Sequence, residues 1–546
     1  MPNYSSKILS NSVSALVAQQ ALIANTSNNI ANVNTPGYTR REVSLLNRAD
    51  PGAAQTGLSF GSGVQVGTIR RITSAFLEGA VKEATSRQGQ ANVKNDYLAR
   101  IESLFSLAGP QQTIGSTLND FFSAVNQVAI NPSSIDDRLT LMQRGEDLVN
   151  SIKTTYNTIA TTQSELDSRV PQEVQQINDY TSQIAKLNDI IGKRRTSNIP
   201  SVDEEDQRDA LLTQLAEKIS YQSVELESGM VNISLENGFP LVTGSTAREM
   251  STTTNPSFKG ATLPPSLEGR TLCYVVYNFG SENDPSHFDL TKSLSNGQGS
   301  LGGVLQLRGY ADPANTSAFQ ADGDLVAFAS RVESLTRGLL TKLNETYLGA
   351  DEDSTTVGLQ SSSGDLNGNA PDVFGLFDFD YSGTKDADGD GVPSAADLLA
   401  TGKDNFSRLI KFAIKTPDRF AAARDNDTTQ GITVFPSGDG QNAAAISQIK
   451  SSTIDFSVGS FSLRGTFDEL YSSTVNYVGS KKSAAEVAVS VANASEVSAR
   501  AKRDELSAVS LDEEFANLIK YQKAFQASAR IIKTASDMLD QLVALI

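Results

Sequence analysis

The sequence predicts an α+β multidomain protein whose two ends pair as a coiled coil. Three observations support this class: apolar residues recur every seventh position near both termini, a long middle stretch has helical spacing, and later stretches alternate like strands. The length of 546 residues favours several domains. We therefore expect terminal helices paired as a coiled coil, a helical-bundle domain and β-rich inserted outer domains.

The C-terminal stretch from Val509 to Ile546 has the strongest helical pattern. An unbroken seven-residue apolar repeat keeps one seam facing one partner along a supercoil. The seam and its flanking apolar positions are Leu511, Phe515, Leu518, Phe525, Ile532, Leu539, Leu542 and Ile546. Ser510 followed by Glu513 predicts a capping box at the start of the helix. A helix that simply folds onto its own domain is the alternative.

The N-terminal residues carry a matching but thinner apolar seam. Its members recur every seven residues and are Leu9, Leu16, Ile23 and Ile30. Small polar side chains separate them, and Lys7 is the only charged residue before Tyr38. Such a helix buries too little area to be stable alone, so we expect it to pair with the C-terminal helix.

Short motifs at both ends resemble the terminal signatures of the bacterial flagellar rod, hook and hook-associated proteins. The N-terminal motif residues are Asn28, Asn29, Asn32, Pro36, Gly37 and Tyr38, and the C-terminal ones are Asn517, Gln522 and Arg530. Either motif alone is moderately specific, whereas both at opposite ends of one chain are very specific. The resemblance implies a structural role in the bacterial flagellum and no enzymatic activity.

The stretch from Ala75 to about Ser220 favours the hook-associated members of this family. Its apolar residues have helical spacing, with predicted breaks at Gly109-Pro110, Asn131-Pro132 and Asn198-Ile199-Pro200. The resemblance implies a secreted adaptor that joins hook to filament and assembles head to tail through its terminal helices. The implied partners are the hook protein, a second junction protein or the flagellin side of the filament, copies of itself, and an export chaperone at the C-terminal helix.

Charge and hydropathy disfavour nucleic acid and membranes as partners. The formal net charge is −17, which argues against binding to nucleic acid or to an anionic membrane surface. No apolar run approaches 18 residues, and the N-terminus lacks the continuous apolar core of a signal peptide. The resemblance implies an extracellular location at the hook–filament junction, reached without a cleaved signal peptide.

The residue types give little support to enzymatic chemistry. His287 is the only histidine and Cys273 the only cysteine, which disfavours His-dependent catalysis, disulfides and zinc sites. Cys273 lies in an apolar, strand-like run, so we expect a small buried residue. The carboxylates of Asp203–Asp206 suit acid–base or metal chemistry, but we interpret them as charge at the start of a helix. Another axial protein, such as a hook protein, and a secreted hydrolase carried on the outer insert stay as alternative functions.

One acidic loop has the spacing of a calcium site. The twelve residues from Asp386 to Asp397 place carboxylates at the first, third, fifth and last positions and Gly391 at the sixth. This is the spacing of an EF-hand loop, in which one tight turn directs several oxygens at one cation. The predicted Ca²⁺ ligands are Asp386, Asp388, Asp390, Val392, Ser394 and Asp397. A solvated acidic loop is the alternative interpretation.

Changes in apolar periodicity predict the domain boundaries. Strand-like runs are Tyr221–Leu226, Val231–Leu235 and Thr271–Phe279. The expected domains are a terminal coiled coil (1–48 and 498–546), a helical core (49–220, 301–347 and 438–497), a β-rich insert (221–300) and a β-rich outer insert with the acidic loop (348–437).

Overall fold

A computed structural model provides the description of the protein. The described residues are 2–48, 61–106, 112–254, 266–278, 287–310, 319, 322–348, 363–369, 375–381, 397–398, 401, 403–424 and 435–544. The chain divides into two compact units. The first unit comprises Met1–Gln88, Gln176–Glu249 and Val491–Ile546, and the second comprises Gly89–Gln175 and Met250–Ser490.

Helices make up much of the described chain. In chain order they are α1 Pro2–Ala31, α2 Ala75–Phe105, α3 Ile114–Ile130, α4 Ile135–Thr196, α5 Val202–Lys218, α6 Thr291–Asn296, α7 Ser300–Arg308, α8 Asp324–Gly338, α9 Asn344–Leu348, α10 Phe406–Leu409, α11 Gln441–Gln448, α12 Phe467–Ser507 and α13 Leu511–Ala544. A π-helical turn at Leu339–Leu343 links α8 to α9. The breaks predicted at Asn131-Pro132 and Asn198-Ile199-Pro200 are confirmed. Pro and the residue before it disfavour helix continuation. Gly109-Pro110 lies outside the described residues.

Short antiparallel strands form small sheets. The strands are β1 Arg41–Asn47, β2 Val64–Arg71, β3 Tyr221–Glu225, β4 Val231–Leu235, β5 Pro240–Thr243, β6 Thr246–Ala247, β7 Met250–Thr253, β8 Tyr274–Asn278, β9 His287–Asp289, β10 Ser363–Gly364, β11 Phe377–Phe379, β12 Ile410–Phe412, β13 Ala423–Arg424, β14 Ile454–Val458 and β15 Phe461–Gly465. Strands β3 to β6 form one sheet in that order, and β7 to β9 form another. Pairs β1–β2, β10–β13, β11–β12 and β14–β15 complete the described sheets.

A buried polar network holds the first unit together around Arg208. The Arg208 guanidinium is 2% exposed and donates to the carbonyl of Gly229 at 2.6 Å and to Asn188 Oδ1 at 3.2 Å. The Asn188 amide in turn donates to the carbonyls of Val231 and Gly244. Since buried donors need partners, these contacts fix α4 and α5 against the β3–β6 sheet.

A second buried arginine joins separate segments of the second unit by hydrogen bonds. Arg308, at the end of α7, donates to Asp167 Oδ1 at 2.6 Å and to the carbonyl of Cys273 at 2.7 Å. The Cys273 thiol is buried, as the sequence predicts, and burial raises its pKa. The side chain therefore stays a neutral thiol packed in the unit's interior.

Helix α4 buries an apolar stripe along most of its length, with spacings of seven residues and one of four. Its fully covered members are Ile152, Ile159, Leu166, Val170, Ile177, Ile184 and Ile191, each 0% exposed. Residues four and seven apart lie on one face of a helix, so these side chains form a continuous stripe. The buried side chains contribute to the core of the unit in which each lies.

Candidate assembly site at the terminal helices

The two terminal helices pack against each other within the first unit. Helix α1 contacts α13 along its length. The end of α1 and the start of α13 both lie beside Arg40 and Arg41, so the two helices run antiparallel. The pairing of the chain ends predicted from the two apolar repeats is therefore present.

The predicted seam positions are only partly covered by this pairing. Those on α1 are half-buried, namely Leu9, Leu16, Ile23 and Ile30. Those on α13 that are half-buried are Leu518, Phe525, Ile532 and Leu539. Leu511 and Phe515 are exposed, while the side chains of Leu542 and Ile546 lie outside the described part of the chain. The roles of these residues in assembly stay a prediction.

Large apolar side chains remain on the surface of the helix pair. They are 41–60% exposed and include Ile8, Val13, Val17, Leu511, Phe515 and Ile519. Rows of exposed apolar side chains on a helix suit association with another protein. The helix pair thus has the chemistry of a surface that another protein covers.

The N-terminal motif residues form a hydrogen-bonded junction at the end of α1. The Tyr38 hydroxyl is shared between Asn29 Oδ1 at 2.8 Å and Asn28 Oδ1 at 3.0 Å. Asn29 is buried, and its amide donates to the carbonyl of Arg41 while its oxygen accepts from the Arg41 N–H. Burial raises the pKa of Tyr38 to about 12, so the hydroxyl keeps the proton that it donates.

The turn between α1 and β1 explains the remaining N-terminal motif residues. Asn32 donates to the carbonyl of Asn28 at 3.0 Å and accepts from the Thr35 hydroxyl. Pro36 ends the helical path, and Gly37 has a φ of 79°, a conformation that disfavours other residues. This turn brings Tyr38 back onto the end of α1.

Arg40 connects this junction to the start of α13. Its guanidinium pairs with Glu513 Oε2 at 2.6 Å and with Glu514 Oε1 at 2.8 Å. The backbone N–H of Arg40 donates to the carbonyl of Ser507. The capping box predicted at Ser510 is wrong, because the Glu513 carboxylate binds Arg40 rather than the Ser510 N–H. A charge-assisted bond to a guanidinium is stronger than a bond to a neutral amide.

Arg41 and Arg71 bind the acidic start of α5. Arg41 pairs with Asp203 at 2.6 Å and with Asp206 at 3.2 Å. Arg71 pairs with Asp206 at 2.9 Å and with Asp209 at 2.7 Å. Burial lowers the pKa of Arg71, but the two carboxylates raise it by more, so the net shift of this pKa is upward. The acidic cluster therefore acts as helix-terminal charge with arginine partners. Among the described residues, no group of three His, Cys, Asp or Glu side chains is placed to hold a metal.

The C-terminal motif residues do not join the junction in the described structure. Asn517 is half-buried, and Gln522 and Arg530 are exposed along α13. Sequence reasoning missed the arginines at positions 40, 41 and 71 as junction residues. The sequence did contain a signal for these residues. The two basic pairs Arg40-Arg41 and Arg70-Arg71 are opposite in charge to the acidic stretch from Asp203 to Asp206.

The proposed calcium loop falls mainly outside the described residues. Asp386, Asp388, Asp390, Val392 and Ser394 are not described, whereas Asp397 is buried and its carbonyl accepts from the Thr401 N–H at 3.2 Å. Calcium binding therefore stays a prediction. In the part of the chain that is described, every helix is too short or too polar to cross a membrane.

Three protein families match successive parts of the chain. The family described as flagellar hook-associated protein FlgK helical domain matches residues 98–358. The flagella basal body rod protein family matches residues 9–39, and the flagellar basal body rod FlgEFG protein C-terminal family matches residues 501–545. The two terminal matches cover the seam of α1 with its motif and nearly all of α13.

Curated relatives and a solved structure agree with these matches. The chain is 26% identical to flagellar hook-associated protein 1 of Salmonella typhimurium, over 98% of this chain and 99% of that protein. It is 24% identical to flagellar hook-associated protein 1 of Bacillus subtilis, over 97% and 96%. The structure of the flagellar hook junction protein FlgK from Burkholderia pseudomallei has the same fold, with a TM-score of 0.57 at 16% identity, over 79% of this chain and 100% of that one.

Proposed function

We propose that the chain is a structural component of the bacterial flagellum that joins the hook to the filament, a proposal supported by its similarity to flagellar hook-associated protein 1 over nearly the whole chain. The observation that carries this proposal is the terminal helix pair, which leaves apolar side chains of both helices exposed. Covering such side chains is favourable by about 25 cal/mol per Å². Assembly with neighbouring subunits supplies that cover.

The mode of assembly follows from the asymmetry of the molecule. A contact between different surfaces of successive copies is heterologous and generates a ring or an open helical array. We infer that copies of this chain associate head to tail through the terminal helices and extend the hook as a short tube. The predicted seam residues then pack between subunits as well as within one subunit.

The proposed partners are other axial proteins of the flagellum. The hook protein contacts this chain on one side, and a second junction protein or the flagellin side of the filament contacts it on the other. An export chaperone covers the exposed residues of α13 before secretion. The net charge of −17 supports the exclusion of nucleic acid, and the proposal requires no membrane insertion.

The proposed location is extracellular, at the hook–filament junction, after export without a cleaved signal peptide. We also propose the four-domain division stated from the sequence. In it the terminal coiled coil is the assembly domain, and the inserts at 221–300 and 348–437 are outer domains. No enzymatic role is proposed, since the family is a structural one.

A hook protein is the alternative closest to this proposal. The helical family match at residues 98–358 favours a junction protein over a hook protein. A hydrolase on the outer insert has no supporting observation among the described residues. A strain that lacks the chain separates these roles: a hook without a filament supports the junction role, and loss of the hook indicates an earlier axial role.

Deleting Leu511–Ile546 tests the role of the terminal helices directly. We expect hooks without filaments in electron micrographs, because the longer apolar repeat is removed. The second unit contains none of the deleted residues, so its thermal unfolding serves as the folding control. A full-length chain with Lys520→Ala, a change at an exposed position of α13, is the matched control and should support filaments. Normal filaments with the truncated chain would contradict the proposal.

A further inference from the structure

A groove on the first unit lies between α1 and the start of β2. Its volume is about 780 Å³. Its apolar lining consists of Leu9, Val13, Val17, Val64 and Val66. The Ser14 hydroxyl accepts a hydrogen bond from the Val64 N–H at 3.2 Å, which holds the two walls at a fixed separation.

The groove lies on the side of α1 opposite to several of its buried residues. Residues of an α-helix advance by about 100° each, so Leu9, Val13 and Val17 share one side of α1. Ala18, Leu22 and Thr26, which are buried, lie on the opposite side. The side of α1 that is buried within the chain is therefore not the side that lines the groove.

A ridge of matching spacing lies on α13. Leu511, Phe515 and Ile519 are exposed and four residues apart, and the half-buried Leu9 and the exposed Val13 and Val17 have the same spacing. Each row extends about 12 Å at about 1.5 Å per residue. Rows with four-residue spacing on two helices interdigitate in the commonest class of helix packing. The ridge thus matches the groove in length, spacing and apolar character.

Opposite charges accompany the two surfaces. Arg48 lies at the groove, and Asp512 lies on the same side of α13 as Phe515 and Ile519. Among the described residues, neither Arg48 nor Asp512 has an ion-pair partner, whereas the adjacent Glu513 and Glu514 both bind Arg40. An uncompensated cation at the groove and an uncompensated anion beside the ridge are electrostatically complementary.

We propose that the ridge of one copy, Leu511, Phe515 and Ile519, docks in the α1–β2 groove of a second copy, with Asp512 pairing with Arg48. The inference rests on the proposed assembly function and specifies its contact surfaces. Because the ridge and the groove are different surfaces, a pair of copies keeps one free groove and one free ridge. The contact is therefore heterologous and propagates from copy to copy.

Disulfide trapping between two differently tagged full-length copies tests this contact. One copy carries Val17→Cys and the other Phe515→Cys, both at exposed positions where a cysteine leaves the fold intact. The natural Cys273 is buried and does not compete. After mild oxidation of assembled flagella, we expect a disulfide-linked pair carrying both tags. The matched control combines Val17→Cys with Lys520→Cys, which is exposed on another face of α13, and should give no linked pair.

A charge exchange gives a second readout. Arg48→Asp and Asp512→Arg should each reduce the linked fraction several-fold, and the two changes in one chain should restore it. If filaments form but Val17→Cys does not link to Phe515→Cys, or links equally to Lys520→Cys, the proposed contact is overturned while the junction function stands. A link to a different axial protein instead of a second copy also overturns it. Failure of the proposed function itself appears separately, as normal filaments after deletion of Leu511–Ile546.

Discussion

Helices α4 and α13 both carry a long apolar repeat, but the two helices differ in how completely the repeat is covered. The repeat of α4 is 0% exposed from Ile152 to Ile191, whereas that of α13 is half-buried and its first members are exposed. A regular repeat predicts a helix with one seam in both cases. The repeat alone does not specify whether the seam's partner belongs to the same chain.

The surroundings of the two helices explain the difference. Within the second unit, the Tyr156 hydroxyl of α4 donates to the carbonyl of Leu267, and the Gln163 amide donates to the carbonyl of Arg308. Segments distant in sequence thus enclose that part of α4. Helix α13 packs mainly on α1, whose thin seam is flanked by Ser, Asn and Gln. One narrow helix cannot cover the wider apolar face of another.

The largest expected contrast between α4 and α13 is in amide hydrogen exchange of the monomer. Amides of α4 should exchange only through near-global unfolding, which for a folded domain costs about 5–15 kcal/mol. Amides of α1 and α13 should exchange through local opening at the low end of this scale, because little apolar area holds them. Mass spectrometry of the protein at low concentration measures both. Equal protection of α4 and α13 would mean that the helix pair is fully stable within one chain.

Matched truncations of one isoleucine in each helix give the next largest contrast. Ile159→Ala in α4 should lower the free energy of unfolding by about 2–5 kcal/mol, since it leaves a cavity at a fully buried site. Ile519→Ala in α13, at a 60% exposed position, should change it by less than about 0.5 kcal/mol. Urea denaturation of the monomer measures both values. A similar loss for Ile519→Ala would show that α13 has a covering partner within its own chain.

The contrast also shows how much of the molecule could be predicted from sequence. Apolar periodicity correctly predicted the helices from Ala75 to Ser220, the strands near Tyr221, Val231 and Tyr274, and the pairing of the chain ends. It did not reveal the Arg40, Arg41 and Arg71 pairs, because those bring together residues up to about 470 positions apart. Charge complementarity indicates such partners, but only the fold selects among the many carboxylates available.

The junction at the end of α1 contributes less than the buried core around α4. Tyr38→Phe removes the hydroxyl that binds Asn28 and Asn29, and should lower the free energy of unfolding of the first unit by about 0.5–1.5 kcal/mol. Tyr180→Phe is a suitable control, because its hydroxyl makes no hydrogen bond among the described residues. Thermal unfolding followed by circular dichroism compares the two variants. An effect of Tyr38→Phe no larger than that of Tyr180→Phe would contradict the structural role of this hydroxyl.

The smallest expected effect is spectroscopic. Burial raises the pKa of Tyr38 to about 12 from its ordinary value of 10.0. The folded chain therefore binds this proton more tightly than the unfolded chain, and the stabilisation is complete below pH 10 and lost as the pH rises towards 12. The difference in tyrosinate absorbance between the natural chain and Tyr38→Phe should have its midpoint near pH 12. A midpoint near 10 would indicate that the junction is open.

The buried Cys273 makes the opening of the second unit chemically visible. As the chain's only cysteine, with a side chain 5% exposed and hydrogen-bonded neighbours at Asp167 and Arg308, it is shielded from thiol reagents while the unit is closed. The rate at which Cys273 is alkylated therefore reports the fraction of chains in which the unit is open. A chain alkylated while unfolded carries a group too large for this site. Such labelling would distinguish chains whose second unit is folded from chains in which it is not.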